Sequence, residues 1–180
     1  MKALIDIIAP RDAELVMEPR WYALHTRSRH EKRVRDELAA RPCVEPFLPL
    51  YRRFSWWGDR TKQVEMPLFS GYCFARFRYT DRLPVLQTFG VVCVVGLTDR
   101  PEFIPEHEID AIRTIVESKL RYDPHPFLEE GDEVEVIRGP LRGTRGLLVR
   151  KDRAERVVLS VGLIRQAVAV EIHAADVSRV

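Results

Sequence analysis

No helical period runs anywhere from Leu128 to Val180, and this narrows most what the chain can fold into. The stretches "GDEVEVIRGPLRGTRGLLVR", "RVVLSV" and "QAVAVEI" are short, β-branched runs separated by turns. β-branched side chains are stiff at χ1 and pack well on a pleated surface, so such runs favour strands. Five short strands in about 50 residues predict a small closed barrel, which leaves few sheet edges open. Gly139, Gly143 and Gly146 supply its tight turns. Immediately before it, "KLRYDPHPF" (119–127) carries Pro124 and Pro126, which favour an extended spacer of ~3 Å per residue. The expected division is an N-terminal extension over 1–19, a first domain over 20–118, a linker over 119–127 and a barrel over 128–180.

The first domain mixes two periods. "RWYALHT" (20–26) is an aromatic and apolar run, read as a first strand. Ser28 followed by Glu31 has the spacing of a capping box, with Val34 and Leu38 at i, i+4 as the apolar stripe of a helix that Arg41-Pro42 ends. "VEPFLPLYRRF" (44–54) reads as a proline-punctuated edge strand. Gly58-Asp59 marks the turn of a hairpin whose returning arm is "QVEMPLF". "GYCFARF" (71–77) is the next strand, "YTDRLPVLQTF" a short helix or loop, and "GVVCVVGL" (90–97) a buried strand by its unbroken apolar run. "PEHEIDAIRTIVES" (105–118) is an amphipathic helix, acidic in its first turn, with Ile109, Ile112 and Val116 on one face. This order predicts an α+β fold: a mostly antiparallel sheet with helices on one face, followed by the barrel. Two helices cover one face of such a sheet only. In "PLFSGYCFARF" Tyr72 and Phe74 fall on one face and Cys73, Ala75 and Phe77 on the other, so aromatic rings occupy both.

Charge is uneven. Arg20–Lys62 holds 11 Lys/Arg against 5 Asp/Glu, about +6, whereas 128–180 holds 9 of each. A basic first half suggests a polyanion near that half, although a merely solvated basic helix explains the count equally well. The three cysteines, Cys43, Cys73 and Cys93, form no CxxC pair, so neither a zinc site nor a disulfide framework is indicated. Cys73 and Cys93 lie in apolar runs and read as buried small hydrophobes. A reduced, cytoplasmic setting fits. The N-terminus interrupts its apolar stretch with Asp6 and does not read as a signal peptide, and no run approaches the ~18 apolar residues of a membrane span.

Nothing points to catalysis, a metal or a cofactor. The five histidines are scattered without HExxH or Cys/His spacing, and there is no phosphate-cradling glycine loop. Three features suggest binding. The first is the aromatic face of Tyr72 and Phe74, with Phe69 in the preceding turn; a plain core role stays open at this stage. The second is the basic helix face, Arg29, Lys32 and Arg33, together with a hairpin tip carrying Trp56, Trp57, Arg60 and Lys62. The third is the glycine-rich turn around Pro140.

Four motifs in order resemble the NusG family of transcription elongation factors, over about residues 20–180. "RWYALHTRSRHEKRV" is similar to the family's opening strand and helix, and "MPLFSGYCFARF" to its L-F-P-G-Y signature, with Ser70 in place of the proline. "FGVVCVVGL" followed by "PEFIPEHEIDAI" resembles its G-V-x-x-F-V-G run and proline-led helix, and "EEGDEVEVIRGPLRGTRGLLV" its KOW motif, an SH3-like barrel. Leu141 stands where an aromatic residue is common. The short connection before "EPFLPLY" and the tryptophan hairpin look more like the operon-dedicated paralogues of the UpxY and RfaH type.

The resemblance implies a non-enzymatic, monomeric factor without cofactors. Its N-terminal domain would lie on the clamp helices of the largest RNA polymerase subunit through a hollow of His25, Phe69, Tyr72 and Phe74. Arg29, Lys32, Arg33, Trp56, Trp57, Arg60 and Lys62 would touch non-template or upstream DNA. Leu141, Arg142, Ile164 and Arg165 would meet a second partner at the barrel, a small-subunit ribosomal protein or the termination factor Rho in the family. The function expected is suppression of pausing and termination at a dedicated operon. The alternatives are a housekeeping elongation factor or a ribosomal-type RNA-binding protein, which the zero net charge of 128–180 disfavours. The β-branched strands and glycine turns favour a barrel that persists rather than refolding into helices.

Overall fold

A computed structural model describes residues 17–57, 60–96, 102–118, 120–125, 132–151, 154–173 and 176–180. Most of the expected extension over 1–19 and the Gly58-Asp59 turn lie outside the described residues. The fold is α+β, and the chain divides into two compact units, Met1–Leu48 with Gly71–Ile104 and Pro49–Ser70 with Pro105–Val180.

The first unit is built on a four-stranded antiparallel sheet of order β2-β5-β1-β6. Its strands are β1 (Pro19–Thr26), β2 (Glu45–Phe47), β5 (Tyr72–Arg78) and β6 (Val91–Val94). The register of β1 on β5 sets Tyr22 opposite Ala75 and Leu24 opposite Cys73. These residues and Phe77 are fully buried on one face, where Val34 and Leu38 of helix α1 (Glu31–Ala39) and Val85 of α2 (Arg82–Leu86) are also buried. Tyr22 and Phe77 meet there at 4.7 Å between ring centroids. The opposite face carries Trp21, Ala23 and His25 from β1, each opposite Arg76, Phe74 or Tyr72 of β5.

Three expectations change in this unit. Helix α1 begins at Glu31 with His30 as its N-cap and no side-chain cap bond, so the Ser28/Glu31 capping box does not form. Arg29 adopts a left-handed backbone, φ 63°, which closes a turn between Ser28 and the helix and puts Glu31 at its first position instead of its third. Strand β6 is not the buried strand expected: among the described residues it ends the sheet, with β1 as its only neighbour. A bulge against His25 and Thr26 leaves Val92 as the extra residue, 53% exposed, and Cys93 is exposed as well. "VEPFLPLYRRF" is not one strand either: β2 pairs with β5, and β3 (Leu50–Trp57) starts after Pro49 in a separate ribbon with β4 (Arg60–Pro67).

That ribbon belongs to the second unit, with helix α3 (Glu106–Glu117) and a six-stranded antiparallel sheet. The sheet order is β12-β8-β9-β10-β11-β7, formed by β7 (Tyr122–His125), β8 (Asp132–Val136), β9 (Arg145–Lys151), β10 (Ala154–Val161), β11 (Gln166–Ile172) and β12 (Val177–Arg179). Its core is aliphatic, with Val134, Val136, Val157, Val158, Val168 and Val170 buried. At Gly146 a Cβ would stand 2.5 Å from the carbonyl oxygen of Val158, so β9 and β10 approach closely only because no side chain intervenes. The proline spacer expected over 119–127 is in part a strand: Tyr122–His125 pairs with Ala167–Val170, and Pro124 is accommodated because β7 is an end strand. The Tyr122 hydroxyl donates to the Leu50 carbonyl at 2.9 Å, tying the ribbon to β7. Helix α3 buries Ile109, Ile112 and Ile115, while Val116 is half-buried.

Candidate functional site

The sheet face away from α1 presents one partly exposed aromatic pair, with His25 exposed and Tyr72 half-buried. His25 and Tyr72 stand directly opposite in the β1–β5 register, with ring centroids 5.5 Å apart. A tight turn before β5 positions them. Gly71 has φ +82°, which L side chains rarely adopt; its N–H donates to Glu31 Oε1 at 2.9 Å and its carbonyl accepts from the Thr26 N–H at 2.8 Å. The turn is thus clamped between the start of α1 and the end of β1.

The remaining members of the expected hollow do not present surface. Phe74 is 0% exposed, two residues further into the strand, between β1 and β2, with Phe47 stacked on it at 6.2 Å. Phe69 is 1% exposed. Of the four expected docking residues, His25 and Tyr72 are the ones at the surface.

The basic residues of α1 hold an aromatic that sequence reasoning missed. Phe89, 48% exposed, lies just before β6. The Arg33 guanidinium sits 4.2 Å and that of Arg27 5.6 Å from its ring centroid, and His30 meets it at 5.5 Å. The Arg27 N–H donates to the Gly90 carbonyl at 2.8 Å, pinning this loop to the chain entering α1. Arg33 also pairs with Glu37 at 2.7 Å, one turn along. Arg29 and Lys32, in the same stretch of chain, are exposed. Phe89 forms an apolar plane edged by cations, a geometry suited to stacking a flat anionic ligand component. An isolated Phe-Gly in a polar loop was the available signal.

The hairpin tip is described through its backbone. Trp56 pairs with Thr61, Trp57 with Arg60 and Ser55 with Lys62, so the register gathers Trp56, Trp57, Arg60 and Lys62 at one end of the ribbon. At the barrel the expected partner residues separate. Arg142 and Arg165 are exposed, whereas Leu141 and Ile164 are buried in the core at 1% and 6%. Leu141 points inward because its turn folds back on β8: the Gly143 N–H reaches the Val136 carbonyl at 2.7 Å.

Burial pushes the Cys73 thiol up to about 12, which leaves it protonated and unreactive near neutral pH. Among the described residues no cluster of His, Cys, Asp or Glu could hold a metal ion, and no helix is long and apolar enough to cross a membrane.

The family model described as "Transcription termination factor nusG" matches residues 19–113. Over 177 residues the chain is 26% identical to the transcription termination/antitermination protein NusG of Pseudomonas aeruginosa, covering 91% of this chain and all of that protein. It is 24% identical to the protein of the same name from Rickettsia felis, over 94% of this chain and 93% of that one. The fold is similar to a solved structure titled "Domain interaction in Thermotoga maritima NusG", with a TM-score of 0.58 at 20% identity over 92% of this chain and 99% of that one. The chain belongs to the NusG family of transcription factors, which are not enzymes.

Proposed function

We propose that this protein is a cytoplasmic, monomeric elongation factor that docks on RNA polymerase and suppresses pausing and termination at a dedicated operon. The observation that carries the reading is the His25–Tyr72 pair: an exposed imidazole against a half-buried phenol ring on one sheet face, while α1 and α2 account for the other. Rings of this kind suit a protein partner's apolar helix surface. If the His25–Tyr72 pair together loses on the order of 100 Å² to the clamp helices, the gross gain is about 2.5 kcal/mol before association costs. The N-terminal segment 20–118 acts as the polymerase-binding domain and 128–180 as the recruiting barrel.

The basic face of α1, with Phe89 and the tryptophan hairpin, contacts upstream or non-template DNA. Exposed charge steers the encounter, and the aromatic rings hold an unpaired base. Arg142 and Arg165 contact the barrel's partner, a small-subunit ribosomal protein or Rho. Holding the polymerase clamp closed shifts the population towards the elongating state.

Co-purification with core RNA polymerase tests the docking, with His25→Ala/Tyr72→Ala compared with wild type. Loss of at least ten-fold in retained protein is expected; equal retention overturns the reading. A housekeeping role is favoured instead by the curated relatives, which bear the general NusG name. Deletion separates the two: loss of one long operon's distal transcripts supports the dedicated role, and a global transcript change supports the housekeeping one.

A further inference from the structure

The register that sets His25 opposite Tyr72 sets Cys93 opposite His25 on its other side. β5, β1 and β6 are consecutive in the sheet, so Tyr72, His25 and Cys93 form a row across three neighbouring strands. Directly opposite residues share a face, which puts the Cys93 side chain on the side away from α1, with the two rings. His25 and Cys93 are exposed and Tyr72 is half-buried. The row is one residue deep: the next residues inward on this face, Phe74 and Ala23, are both 0% exposed. On β6 the bulge interrupts regular pairing just beyond Cys93 and leaves Val92 exposed at the rim. The row contains no carboxylate, lysine or arginine.

Neighbouring strands lie about 4.8 Å apart, so Tyr72 to Cys93 spans roughly 10 Å. Residues three and four apart on a helix follow one another at about 5–6 Å. A helix lying across the strands therefore sets successive members of one ridge over Tyr72, His25 and Cys93 in turn. A helix lying along the strands gains nothing further inward, where Phe74 and Ala23 present no surface. We propose that Tyr72, His25 and Cys93 form one docking row for a single partner helix that crosses the strands, with Cys93 as its outer contact. The row rests on the polymerase-docking reading, and its occupant is an apolar ridge of one clamp helix. Cys93 sets specificity by being small and uncharged. It lets the ridge continue past His25 onto β6, where a charged side chain would be dried without a partner.

The three cysteines supply the readout. Cys93 and Cys43 are exposed, Cys43 lying before β2 at the opposite end of the sheet, and Cys73 is buried. The full chain is alkylated with N-ethylmaleimide, alone and with core RNA polymerase, and each cysteine is followed by peptide mass spectrometry. Polymerase should slow alkylation of Cys93 roughly ten-fold, with Cys43 unchanged and Cys73 unmodified throughout. In co-purification, Cys93→Glu should lower retained protein roughly ten-fold, whereas Cys93→Ala should match wild type. The nuclear Overhauser contact between the His25 and Tyr72 rings checks that the sheet of Cys93→Glu is intact. His25→Ala/Tyr72→Ala, measured in parallel, separates the row from the docking itself. If that variant is lost from polymerase while Cys93 stays fully reactive or Cys93→Glu is retained, docking stands and the row is overturned. If that variant is retained like wild type, the docking reading fails and the row fails with it.

Discussion

Glu31 and Gly71, forty residues apart, are joined by a hydrogen bond of 2.9 Å from the Gly71 N–H to Glu31 Oε1. The bond links the first turn of α1 to the turn that enters β5. Glu31 is buried, as is Leu24 next to the exposed His25 in β1. The carboxylate therefore acts as a fixed strut behind the His25–Tyr72 pair, and the His25 ring lies 4.0 Å from where a Gly71 Cβ would stand.

Removing the strut should cost stability and alignment together. Glu31→Ala leaves the Gly71 N–H without its partner, a loss of about 1–3 kcal/mol. Urea denaturation of the full chain checks the magnitude. The nuclear Overhauser contact between the His25 and Tyr72 rings checks the alignment and should weaken in the variant. An unchanged contact with full stability would make Glu31 an incidental neighbour.

Phe89 and the cations around it predict two separable effects on single-stranded DNA binding. Phe89→Ala should weaken binding by about 1–3 kcal/mol if a base stacks there, with the salt slope unchanged, because a ring neutralises no phosphate. Lys32→Ala should lower affinity at low salt and reduce the slope of log K against log salt by roughly one. Fluorescence anisotropy with a labelled oligonucleotide across a salt series reads both. A slope change in Phe89→Ala would show that the ring orders the cations instead of holding a base.

Much of this was legible in the residues, and the failures share a cause. Helix α3, the hairpin arms and the strand-only C-terminal segment follow from local pattern, because amphipathic spacing and β-branching act over a few residues. Glu31 was misread because its partner is Gly71: a carboxylate three residues after a serine looks the same whether it caps its own helix or braces a distant turn. "GVVCVVGL" was misread because an unbroken apolar run cannot reveal strand order, and β6 lies at the end of the sheet. Parity placed Tyr72 and Phe74 on one face correctly, but only the register with β1 and β2 separates the half-buried ring from the fully buried one. Leu141 failed the same way, since a turn residue is turned inward by contacts that local sequence does not contain.

Tyr22 sets an alkaline limit on the first unit. Its hydroxyl is pushed up from 10.0 to about 12, chiefly by burial and secondarily by the neighbouring Tyr79, with Arg20 opposing. The native state therefore holds this proton more tightly than the unfolded chain does. The associated stability is intact below pH ~10, the unfolded value, and is lost as pH rises towards the native value near 12. Tyr22→Phe keeps the ring that packs on Phe77 at 4.7 Å and removes the titrating group. In the variant, stability measured by urea denaturation should fall less steeply between pH 10 and 12, with little change at pH 7. Equal slopes in the two proteins would mean that another group governs alkaline unfolding. Tyr79, packed at 6.4 Å from Tyr22 in the same cluster, is then the next residue to replace.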